Sequence, residues 1–152
     1  MTTLSRVLIT GGAGFVGSQL GAYLARQGYD VLLLDNMRYG HLDNLLEDGR
    51  PFARFAGRDI RDPSIEKLFE GIDVVFHLAG IAALPECEAN PARTYDVHVS
   101  GTAAVLRWAR QAGVRRVVFA STSAVYENSA SDCQAESEHV APDLVYSTTK
   151  YA

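Results

Sequence analysis

The chain has 152 residues, 47% of them hydrophobic and 21% charged, which suits one globular domain able to bury roughly 70% of its unfolded surface. Its net charge of −4 offers no attraction to nucleic acid or an anionic membrane, and no apolar run is long enough to cross a bilayer. Two cysteines, Cys87 and Cys133, are too few for a disulfide framework or a zinc site and read as reduced thiols of a cytoplasmic protein.

The opening MTTLSRVLITGG passes straight into a strand-like run and a glycine turn, so no signal peptide is expected. RVLIT (6–10), DVLLLD (30–35), DVVFHLA (73–79) and RRVVFAS (115–121) are near-continuous apolar runs. They lack the alternation of a half-exposed strand, which predicts parallel strands buried on both faces. PFARFAG (51–57) is a weaker fifth candidate. SQLGAYLARQG (18–28) has helical spacing, with Leu20 and Leu24 on one face and Gly28 as its stop. PARTYDVHVSGTAAVLRWARQAG (91–113) predicts one long helix, also ending at a glycine. Strands alternating with helices predict an α/β fold, a doubly wound parallel sheet with right-handed crossovers, over residues 1–152 as one dinucleotide-binding Rossmann domain.

ITGGAGFVGSQL places Gly11, Gly14 and Gly17 where the first strand meets the first helix. Glycines there allow a tight turn, a close backbone approach to a pyrophosphate and close helix–strand packing. The first amides of the helix, those of Phe15 and Val16 among them, would hold the phosphates. Asp35 ends the second strand 24 residues after Gly11, near the spacing expected of a ribose-binding carboxylate. A carboxylate there accepts from both ribose hydroxyls and repels a 2′-phosphate, which favours NAD over NADP, although Arg38 lies close by. His77 reads as a packed residue at a strand end. His41, His98 and His139 have no partner pattern for metal or triad chemistry, and no metal is expected. The neighbouring Glu86 and Glu88 would raise the pKa of Cys87 and make it unreactive.

In total these features resemble the extended short-chain dehydrogenase/reductases, and within them the NAD-dependent nucleotide-sugar epimerases and dehydratases. The matches run in order along the chain: TGGAGFVG from Thr10, DNMRYGHLDNL (35–45), GRDIRD (57–62), FHLAG (76–80), VHVSGT (97–102), FASTSAVYE (119–127) and YSTTK (146–150). The resemblance implies that Asn36 lies beside the adenosine, that Asp59 and Ile60 flank the adenine, and that Leu78, Ala79 and Gly80 line the cofactor. Three positions depart from the family pattern. His98 stands where the family has asparagine, which bears on the backbone-bridging hydrogen bonds of that residue. Glu127 stands in place of a glycine, and Gly80 in place of an alanine.

Tyr146 and Lys150 lie at i and i+4, so a helix from about residue 145 would turn them the same way. A free phenol has a pKa of about 10. A nearby cation favours the phenolate, which could then take a proton from a sugar hydroxyl as hydride leaves the same carbon for the nicotinamide. The resemblance adds that Lys150 also bonds the nicotinamide ribose and that Ser123 bonds the reacting oxygen, with Thr122 as its neighbouring alternative.

The family's dehydratases and decarboxylases carry carboxylates after the residue matching Thr122, where this chain has Ser123 and Ala124. The resemblance therefore implies a nucleotide-sugar 4-epimerase, of UDP-hexose or UDP-uronate type, working through a 4-keto intermediate. A catalytically idle NAD-binding module and a non-epimerising sugar dehydrogenase are the alternatives. Family members are about twice as long, which implies that further strands and a sugar-nucleotide domain follow residue 152. It also implies pairing of two copies through two helices per subunit.

Overall fold

Val7, Leu8 and Ile9 are at most 2% exposed, because the strand that carries them is covered on both faces. The computed structural model describes residues 5–130 and 133–152. In chain order its elements are β1 (Arg6–Thr10), α1 (Phe15–Arg26), β2 (Asp30–Asp35), β3 (Leu46–Glu47), β4 (Arg50–Pro51), β5 (Arg54–Gly57), β6 (Val74–His77), α2 (Leu84–Ala89), α3 (Pro91–Tyr95), α4 (Gly101–Gln111), β7 (Arg116–Phe119) and α5 (Val145–Tyr151). The chain divides into two compact units. One holds the residues up to Ala79 together with Gly101–Ala120, and the other holds Gly80–Ser100 and Ser121–Ala152.

The first unit is built on a five-stranded sheet in the order β5-β2-β1-β6-β7, every neighbouring pair parallel. Val7, Ile9, Val31 and Leu33 point to one face and pack with Ala13 and Leu45, while Leu20 and Leu24 of α1 lie against them. Leu8, Leu32, Leu34 and Val75 are buried as well, which explains the unbroken apolar runs of the inner strands. The run 115–121 differs from its expectation: β7 pairs only with β6 at the sheet edge and leaves Val118 and Phe119 exposed rather than buried on both faces. Gly28, at φ +85°, ends α1 as its sequence position predicts.

Three further expected elements take a different form. The strand expected over 73–79 leaves the sheet after His77, where the amides of Leu78 and Ala79 turn to the carbonyl and hydroxyl of Thr10. The run 51–57 divides. Arg50 and Pro51 pair antiparallel with Leu46 and Glu47 around an Asp48–Gly49 turn with positive φ at both residues, and only Arg54–Gly57 joins the main sheet. The helix expected over 91–113 is three stretches, α3, a π turn over Asp96–Ser100, and α4. One extra residue per turn leaves the apolar spacing nearly intact, so periodicity alone does not reveal it.

The second unit contains α2, α3, the π turn, a 3₁₀ turn over Ser123–Tyr126 and α5, with α2 and α3 packed on α5. Cys87 is fully buried, its Sγ donating to the carbonyl of Ile81 at 3.6 Å. Burial is the main force that raises its pKa, with Glu86 and Glu88 adding to it, so the expected inertness has a different principal cause. Cys133 is exposed and forms no disulfide.

Candidate active site

Two positions of the glycine turn in the first unit, Gly11 and Gly17, leave no room for a side chain. Gly11 sits at φ +72°, and a Cβ there would stand 2.8 Å from the Ala79 nitrogen. A Cβ on Gly17 would fall 2.2 Å from the Gly11 carbonyl oxygen, and one on Gly14 at 3.2 Å from the same oxygen. Helix α1 begins here with no side-chain cap and no acid in its first turn, and Phe15 and Val16 are exposed. Its N-terminal amides and the positive end of its dipole therefore face outward without a competing carboxylate. Those features fit a phosphate-bearing group.

Asp35 takes the amide of Ala13 on one carboxylate oxygen at 3.1 Å and that of Met37 on the other at 2.8 Å. The acid thus braces the glycine turn while keeping lone pairs free for hydroxyl donors. Asn36 caps the next turn through the Arg38 amide and donates to Asp59 at 2.8 Å. The Arg61 guanidinium grips both oxygens of Asp59, each at 2.8 Å, and with the Arg61 amide and Asn36 holds that carboxyl well below the usual carboxylate range. Ile60 is buried, and Leu78 and Ala79 follow β6, Ala79 donating to Thr10. His77 is 1% exposed, with Thr10 on one ring nitrogen and Thr102 on the other, the packed strand-end residue expected. Arg38 stacks on Tyr39 and donates to its hydroxyl.

In the second unit α5 begins at Val145, as expected, and carries Tyr146 and Lys150 one turn apart. Lys150 is 9% exposed, and burial lowers its pKa to about 8, so it keeps its charge at neutral pH. Ser123 is exposed at the start of the 3₁₀ turn. The hydroxyl of Thr122 caps that turn by accepting from the Ala124 amide at 3.1 Å. A seven-residue helix is too short to persist on its own. Its start is held by two distant carboxylates. Glu127 accepts from the amides of Asp143 and Leu144 and from the Ser147 hydroxyl, while Glu88 accepts from the Val145 amide at 2.7 Å.

Its middle is held by His98, 4% exposed, whose ring meets the Tyr146 ring edge-on at 5.8 Å. His98 Nε2 accepts from the Ile81 amide at 2.8 Å, and Nδ1 lies 2.7 Å from the Thr149 hydroxyl. Burial first, and the charge of Lys150 second, lower the pKa of His98 to about 4. Glu88, His98, Glu127 and Thr149 are missed by a motif reading of the site. Two of them, His98 and Glu127, were visible only as departures from the family pattern. Among the described residues no three His, Cys, Asp or Glu side chains gather as a metal site, and no helix is long and apolar enough to cross a membrane.

A parallel sheet whose first strand passes through a glycine turn into a helix, with an acid ending the second strand, defines the Rossmann class of α/β domains. Residues 7–152 match the NAD dependent epimerase/dehydratase family, and the chain belongs to it. It is 37% identical over 152 residues to the UDP-glucose 4-epimerase of Streptomyces lividans, covering 97% of this chain and 45% of that protein. The fold is similar to that of the UDP-N-acetylglucosamine 4-epimerase of Methanobrevibacter ruminantium M1, solved with UDP-N-acetylmuramic acid (TM-score 0.91, 29% identity, 99% of this chain, 48% of that one). It is also similar to the UDP-glucose 4-epimerase of Stenotrophomonas maltophila, solved with NAD and formylated UDP-arabinopyranose (TM-score 0.90, 32% identity, 97% and 46%). The chain spans less than half the length of each.

Proposed function

We propose that this chain carries the cofactor-holding and proton-handling residues of an NAD-dependent nucleotide-sugar 4-epimerase acting on a UDP-linked hexose or uronate. The observation that carries the reading is the buried, charged Lys150 one helical turn from Tyr146. A structural lysine would ordinarily keep its ammonium in water.

The residues present fit the cofactor. Gly11, Gly14, Phe15, Val16 and Gly17 would take the pyrophosphate, Asp35 a ribose, and Asn36, Asp59 and Ile60 the adenosine, with Leu78, Ala79, Gly80 and Lys150 completing the set. NAD when bound accepts hydride from C4 of the sugar and returns it. Tyr146 as phenolate takes the C4 hydroxyl proton and gives it back when C4 is reduced on its opposite face. Ser123 donates a hydrogen bond to that oxygen, and Lys150 supplies the cation that favours the phenolate. No carboxylate adjoins Ser123 to drive elimination, so the 4-keto sugar is simply reduced again. On the same reading the native protein is a cytoplasmic homodimer.

The test uses the native protein with UDP-glucose, UDP-N-acetylglucosamine and UDP-glucuronate. Isomer exchange without net NADH is expected, and Tyr146→Phe should slow it by roughly 10²–10⁴-fold while leaving the bound NAD content unchanged. Net NADH would make the protein a dehydrogenase, and bound NAD with no exchange would make it an idle binding module. Either result would end the epimerase reading.

A further inference from the structure

The Ile81 amide can only donate, so His98 Nε2 must be the bare nitrogen and the ring proton must sit on Nδ1. That proton is donated to Thr149 Oγ1 at 2.7 Å, and the Thr149 hydroxyl in turn faces the carbonyls of Val145 at 2.8 Å and Tyr146 at 2.9 Å. One neutral imidazole thus ties the backbone just after Gly80 to the helix that bears Tyr146 and Lys150, with its ring edge-on to Tyr146. Both ring nitrogens are committed, so the ring cannot shift without losing a buried hydrogen bond.

Gly80 lies directly against this ring. A Cβ added there would stand 3.3 Å from His98 Nε2, a tight approach that the ring relieves only by moving a few tenths of an ångström, while Cδ2 at 3.5 Å is in ordinary contact. It would also reach 4.0 Å from the Lys150 ammonium. A side chain at Gly80 therefore presses on a ring whose two nitrogens are both held.

We propose that His98 is a positioning residue for Tyr146 and Lys150, and that Gly80 is the space it requires. Gly80 and His98 are then one coupled feature of this chain. The catalytic part of this inference rests on the epimerase reading, whereas the coupling of the two residues does not.

The experiment is a double-mutant cycle in the native protein with Gly80→Ala, His98→Asn and the double variant. Gly80→Ala alone should lower kcat for UDP-sugar exchange roughly tenfold with KM changed less than twofold, and should cost less than twofold in kcat when added to His98→Asn. An equal cost in both backgrounds, or a cost that falls on KM, would overturn the proposal. The same cycle read as Tm keeps the coupling testable if the protein proves inactive. The Tm loss from Gly80→Ala must shrink in the His98→Asn background, and an undiminished loss would overturn the coupling. Nitrogen NMR of labelled histidine supplies an independent signature. His98 should show a protonated Nδ1 and a bare Nε2 at pH 7, and the opposite tautomer would sink the proposed bridge.

Discussion

Lys150 is a charge kept out of water, and its titration should be measurable as stability. Its native pKa of about 8 lies below its ordinary 10.5, so between those values the unfolded chain holds a proton that the folded chain has released. Folding stability therefore rises with pH through that window, and below about pH 8 the burial cost is present in full. Denaturation of the wild type and of Lys150→Met, compared at each pH, should show the wild type gaining roughly 3 kcal/mol on the variant between pH 8 and 10.5. Parallel curves would mean that the ammonium is solvated in the native state. Single residues were also where the sequence spoke most unevenly. Gly11, Gly17 and Asp35 could be read directly, because a close backbone approach and a braced turn admit few side chains. His98 could not. Its partners Ile81 and Thr149 lie 17 and 51 positions away, and no local pattern joins them.

At the scale of elements, helix α5 depends on other segments for its start. Its N-cap residue, Leu144, has no side-chain acceptor to offer, and Glu127 and Glu88 provide the capping from elsewhere in the sequence. A carboxylate at a helix N-terminus satisfies orphan amides and opposes the positive end of the dipole. Glu127→Gly should therefore lower Tm by roughly 2–4 °C and loosen amide exchange at Asp143, Leu144 and Val145 ahead of the rest of the chain. A melting point and exchange pattern equal to wild type would show that the capping contributes nothing. The helix itself was legible from Tyr146 and Lys150, but its support was not. The short hairpin of β3 and β4 carried a readable signal in Asp48–Gly49 that the apolar-run reading passed over. The π turn carried none, since its extra residue hides inside a pattern that still looks helical.

Across the whole chain, the inner strands β1 and β2 were the most legible feature because burial on both faces writes itself as unbroken Val, Leu and Ile runs. The second unit was the least legible. It is assembled from short helices and turns held by contacts such as Ala141 to Val125 and Asn128 to Ala141, which leave little trace in periodicity. Its tightness can nevertheless be timed from within. Cys87 is shut inside this unit and Cys133 lies open to solvent, so one molecule contains both a concealed thiol and a reference thiol. With a thiol-reactive dye, the exposed Cys133 should label much faster than Cys87, which reacts only as often as the unit opens. The ratio of the two rates is a stopwatch for breathing, one that runs without added probes. If Cys87 labelled as fast as Cys133, the interior drawn around it would not be closed in solution.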